Sequence, residues 1–113
     1  MENCLFCKII AGEIPATKVY EDQNMVICKD IDQKAKNHHL CVPKSHFKLL
    51  SEMNEEQAKM LGECFKKIPM LVKELGLENG YRLVINQGDD AGQTVFHLHI
   101  HILSGQKMGW TPA

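Results

Sequence analysis

Three histidines, His97, His99 and His101, alternate with Phe96, Leu98, Ile100 and Ile102 within residues 94–103. A two-residue period predicts a strand, with the imidazoles on one face and the apolar side chains on the other. Next-but-one side chains on a strand stand about 7 Å apart, from a rise of about 3.3 Å per residue. Such a row cannot bring all three rings to within about 2.1 Å of a single zinc ion without bending, although one or two could ligate. A single strand histidine is usually just a hydrogen-bonded side chain. Three on one face point instead to a nucleophile, a proton carrier and a phosphate binder. Residues 86–93 form a polar, glycine-rich loop just upstream. Backbone N–H groups in such a loop can cradle an anion beside the imidazoles.

A second group of reactive side chains opens the chain. Cys4 and Cys7 have Cys-x-x-Cys spacing, which fits structural thiols, a redox pair or half of a zinc site. The redox reading requires a βαβ context that the flanking residues do not supply. Five cysteines, at 4, 7, 28, 41 and 64, are odd in number and dispersed. They make no disulfide framework, and a reducing compartment would hold them as thiols.

The elements that must position these residues follow from pattern. Residues 8–16 read as a short helix ending near Gly12 and a turn at Pro15. Residues 18–21 and 25–29 read as two strands of a hairpin, 38–43 as a third and 81–86 as a fourth. Asn54 with Gln57 makes a capping box. Ala58, Leu61, Phe65, Ile68, Val72 and Leu75 then recur at helical spacing, so one stripe packs on the sheet. Pro69 should kink or split that helix, and Gly76 and Gly80 end it. His39 is expected at the surface. The resulting expectation is one α+β domain over residues 1–113. It has a five-stranded, mainly antiparallel sheet, one long helix on a face and a short N-terminal helix.

His-x-His-x-His followed by two apolar residues, with Gly92-Gln93-Thr94 just before it, resembles the histidine triad (HIT) family. Within that family the chain is most similar to the Hint branch of nucleoside phosphoramidases. Further matching pieces are Cys7 to Ala16, Asp30-Ile31 with His38, Val42-Pro43-Lys44-Ser45-His46, and Met108-Gly109-Trp110. The likeness spans Cys4 to Pro112.

The resemblance implies a HIT-like fold and hydrolysis of a purine nucleoside 5′-phosphate derivative at the α-phosphorus. His99 is the implied nucleophile, forming a covalent nucleotidyl-histidine that water then cleaves. His101 binds a phosphate oxygen or carries the leaving-group proton. His38, beside the triad, and His97, its first member, are the further implied catalytic residues, with His38 or His101 carrying more of the proton work if His97 binds a metal. Asp30 would bond the ribose hydroxyls, with Phe6, Cys28 and Ile31 around the purine. Asn86, Gly92, Gln93 and Thr94 would hold the phosphate. Family members often carry an aromatic at the position of Cys28 and a serine at that of Thr94. In zinc-bearing members two N-terminal cysteines join two histidines, here matched by Cys4, Cys7, His46 and His97, in a structural site. A ligand His97 could not also act as a free acid. The Trp110 tail, in Hint-like homodimers, reaches toward the partner's active site.

An amine leaving group would make the chain an AMP- or GMP-type phosphoramidate hydrolase. A nucleotide leaving group would make it a dinucleoside polyphosphate hydrolase. A nucleotide-binding adaptor with little turnover and a purely structural zinc protein are the remaining classes. The formal net charge of −1 over 113 residues gives no basic excess for nucleic acid. No apolar run approaches the roughly 20 residues that a bilayer requires. No basic-then-apolar leader precedes Cys4, so a cytoplasmic location without a membrane partner is expected.

Overall fold

A computed structural model describes residues 3–110; Thr111 and Pro112 of the tail lie outside them. Helix α1 (Leu5–Ile10) is followed by β1 (Lys18–Glu21), β2 (Met25–Lys29) and β3 (Asn37–Pro43). The long helix α2 (Glu55–Met70), the short α3 (Val72–Leu75), β4 (Arg82–Val84) and β5 (Ile100–Ser104) complete the order. The sheet runs β1-β2-β3-β5-β4, every neighbouring pair antiparallel. The α+β architecture is the expected one.

Alternation in the central strands builds two apolar layers. Met25, Ile27, Cys41, Ile100 and Ile102 face α2, whose Leu61, Cys64 and Ile68 close the larger core. Val26, Cys28, Leu40 and Val42 face the other way and meet Phe6 and Ile9 of α1. β2 and β3 are therefore buried on both faces. This overturns the expected place of His39, which is 3% exposed with no hydrogen-bond partner for Nδ1. A strand in the middle of a doubly covered sheet leaves neither side chain of an adjacent pair in water.

The N-terminal helix begins earlier than expected, because Cys4 caps it by accepting the Cys7 amide at 3.3 Å. The capping box of Asn54 and Gln57 is present. Cys64, not Ala58 or Phe65, fills the buried stripe, and Phe65 stands at its edge, 42% exposed. Pro69 is accommodated within α2, and the break falls two residues later at Leu71.

The largest departure concerns the histidine run. Regular pairing begins only at Ile100, and residues 94–99 run outside the ladder. The register pairing Cys41 with Ile100 would set Pro43 opposite Leu98, and proline has no N–H to donate. Phe96 consequently faces solvent, 50% exposed. Leu98, Ile100 and Ile102 keep their places in the core.

Candidate active site and metal cluster

A cleft of about 1260 Å³ opens between α1, the Asp30–Lys34 segment and the start of β5. This exceeds the roughly 300–1,000 Å³ of ordinary small-ligand pockets. One end is apolar, with Phe6, Ile9, Ala16, Cys28 and Leu40; the other holds Asn86, Gly92, Thr94, His99 and His101. Asp30, Ile31 and His38 also line it. Ile31 sits on the rim with its side chain fully in solvent.

Hydrogen bonds assign the ring nitrogens. His99 Nδ1–H donates to the His97 carbonyl at 2.8 Å, because a carbonyl only accepts. Nε2 of His99 is then the bare lone pair. The Lys34 amide donates to His38 Nδ1 at 2.9 Å, so in the neutral ring His38 Nε2 carries the proton. That nitrogen lies 2.9 Å from His101 Nδ1 and 3.3 Å from Asp30 Oδ2. His38 donates to His101, which leaves Nε2–H of His101 as a donor. Asp30, His38 and His101 have metal-ligand spacing, but the proton on His38 Nε2 occupies the lone pair that a metal needs. Burial pushes His99 and His38 below the usual imidazole range, and His101 down to about 4. All three are neutral near pH 7.

Two expected phosphate donors are committed elsewhere. Gly92, at φ +81°, donates its amide to the Asp89 carbonyl at 2.9 Å. Gln93 is buried and braces the loop: its amide donates to the Gly88 carbonyl, and its side chain bonds Gly88, Lys48 and Val95. The loop is a rigid wall here, its Gly88 and Gly92 amides turned to internal partners. Trp110, 98% exposed, is not in the cleft lining; the Arg82 guanidinium donates to the neighbouring Gly109 carbonyl.

His97 is fully buried and absent from the cleft lining. Its Nε2–H donates to the Pro43 carbonyl at 2.7 Å. Its Nδ1 lies 3.4 Å from Cys4 Sγ and 3.6 Å from Cys7 Sγ, and Cys7 Sγ lies 3.3 Å from His46 Nδ1. A tetrahedral zinc bound at about 2.3 Å to sulfur and 2.0 Å to nitrogen needs S···N edges of about 3.5 Å. The four side chains fit such an ion. Burial and Cys4 push the Cys7 thiol up to about 11; a bound cation reverses that preference and takes thiolates.

Sequence reasoning missed Ile9, Ala16 and Leu40 in the apolar wall. Phe6 and Ile9, three apart on a helix, carried a readable signal; Leu40 alternating with His38 carried another. The Lys34 amide carries none, since a backbone donor has no side-chain signature.

A family profile described as "Scavenger mRNA decapping enzyme C-term binding" matches residues 3–111. Protein HitA of Neisseria gonorrhoeae is 50% identical over 103 residues, covering 91% of this chain and 96% of that one. A HIT family hydrolase from Clostridium thermocellum superposes with a TM-score of 0.90 at 47% identity, covering 96% of both chains. A zinc-bound histidine triad family protein from Mycobacterium smegmatis gives 0.79 at 34% identity, over 96% of this chain and 81% of that one. The chain belongs to the histidine triad (HIT) family.

Proposed function

We propose that the chain is a HIT-type nucleotide hydrolase that cleaves purine nucleoside 5′-phosphoramidates, AMP or GMP joined through phosphorus to an amine. The observation that carries this reading is the bond from His99 Nδ1–H to the His97 carbonyl. It holds the neutral tautomer whose Nε2 is nucleophilic. Nε2 attacks the α-phosphorus while the P–N bond breaks and the departing nitrogen takes a proton from water, leaving hydroxide; neutral His101 keeps its Nε2–H and donates it as a hydrogen bond to a phosphoryl oxygen. Water then attacks phosphorus, the His99–P bond breaks with its electron pair returning to Nε2, and the water's proton neutralises that hydroxide. Asp30 bonds the ribose, and the apolar end takes the base. Thr94 hydroxyl and Asn86 hold the phosphate oxygens, with Gly92 allowing close approach.

Among the described lining residues the cations are Lys29 and Lys34, both on the segment carrying Asp30. No arginine is among the described lining residues and the Lys34 ammonium is paired with Asp32 at 2.9 Å, which favours a neutral or cationic amine over a polyphosphate as leaving group. Cys4, Cys7, His46 and His97 would hold a structural zinc ion, whose chemistry is to crosslink the N-terminal helix to the triad; His97 then serves as ligand and not as acid. Phe65 and Met70 on α2, and Tyr81 before the edge strand β4, are exposed apolar groups suited to a homodimer face. No helix of the described residues is long and apolar enough to cross a membrane.

The test is a panel of adenosine and guanosine phosphoramidates and diadenosine polyphosphates, run on wild type and His99→Gly. A burst of amine release that is lost in the variant is expected. Faster turnover of the polyphosphates would reassign the leaving group, and AMP binding without any turnover would point to an adaptor.

A further inference from the structure

Resting on the readings of His99 as nucleophile and of the cysteine–histidine cluster as a zinc site, we propose that this cluster is a positioning device for the nucleophile. It sets the tautomer of His99 and the wall against which the nucleoside packs. Three observations carry the argument.

The first is a single peptide unit. The carbonyl that accepts His99 Nδ1–H belongs to His97, and the N–H of that same unit belongs to Leu98. Leu98 donates to the Phe47 carbonyl at 2.7 Å. In a trans peptide these two groups point in opposite directions. The Phe47 bond therefore aims the His97 carbonyl at the His99 ring. Phe47 directly follows His46, so one cluster member stands beside each end of this unit.

The second is the absence of a ladder. Residues 96–99 precede β5, so no strand partner fixes the orientation of the unit. The Phe47 bond and the His97 ring, held at Nε2 by Pro43 and at Nδ1 by the cysteine sulfurs, share that role.

The third is α1. Cys4 and Cys7 bracket Phe6, whose ring meets His97 edge-on at 6.0 Å and His99 at 4.8 Å between centroids. Phe6 also lines the apolar end of the cleft. Holding the two cysteines holds the base wall and the nucleophile's ring together. His97 is thus a positioning residue, acting through its carbonyl and through Phe6.

The experiment uses the full chain as purified, with its metal content measured. Nitrogen-15 histidine NMR reads the His99 tautomer, and calorimetry reads AMP affinity. Both are followed in the zinc-loaded protein, after chelation, in His46→Ala and in His46→Cys. His46 is not part of the cleft lining. In the loaded protein His99 should carry its proton on Nδ1. Chelation and His46→Ala should give mixed tautomers and AMP binding weaker by about tenfold, the usual scale for loss of an outer-shell partner. His46→Cys, which keeps four ligands, should restore both. An unchanged tautomer and affinity in metal-free protein whose sheet and α2 resonances are intact would overturn the proposal. If metal-free chains unfold, replacement of Zn²⁺ by the larger Cd²⁺ decides. The His99 Nδ1–H resonance should then move, and an unmoved resonance overturns the idea. A chain that takes up no metal removes the zinc reading and this inference with it. A burst that survives His99→Gly removes the nucleophile reading alone.

Discussion

At the scale of single residues, the site depends on which nitrogen of each ring holds a proton. Carbonyls and amides decide this, because each can play only one hydrogen-bonding role. The His97 carbonyl makes His99 bare at Nε2, and the Lys34 amide makes His38 a donor toward His101. A pH profile follows. An imidazole in water, with a pKa near 6.5, is roughly three-quarters protonated at pH 6 and mostly useless as a nucleophile. Burial lowers the value for His99, so its lone pair stays free further into acid. Plotted against pH, kcat/KM should therefore fall on the acid side with a midpoint below 6.5. An acid limb with its midpoint at or above 6.5 would contradict the assignment of His99.

At the scale of elements, legibility divides by what each pattern depends on. The boundaries of β1 and β2 were readable because hydrophobic alternation and the Asp22-Gln23-Asn24 turn are local features. The capping box was readable for the same reason. The start of β5 was not, because it is set by Pro43 on another strand. The cleft-lining histidines and Asp30 were legible as residue types with meaningful spacing. The loss of the Gly92 and Gln93 amides to internal bonds was not, since turn closure depends on φ angles that the letters do not state. His39 is the clearest miss, and it yields a prediction. Its buried Nδ1 has no partner, and leaving such a group unsatisfied costs about 1–3 kcal/mol. His39→Leu, close in volume, should raise stability at pH 7 by about 1 kcal/mol, read as a higher urea midpoint with unchanged slope. Loss of stability would mean that His39 Nδ1 has a partner, such as a trapped water.

At the scale of the whole molecule, five neutral imidazoles are enclosed by one small fold, and this couples the site to acid stability. His38, His39, His97, His99 and His101 all titrate below the ordinary value of 6.5 in the folded chain, chiefly through burial, and His97 and His101 fall to about 4. Between those limits the unfolded chain binds more protons than the folded one. Stability then rises with pH across the window. It is fully present above 6.5 and is lost progressively as pH falls toward 4. Stability should fall between pH 7 and pH 5, each group contributing in proportion to its displacement at about 1.4 kcal/mol per unit. Urea unfolding at pH 7, 6 and 5, with metal content held constant, measures it. His39→Leu removes one of the five groups and should flatten the slope without abolishing it. A stability independent of pH over this range would mean that the imidazoles gain charge without leaving the fold, and the enclosed neutral triad described here would have to be abandoned.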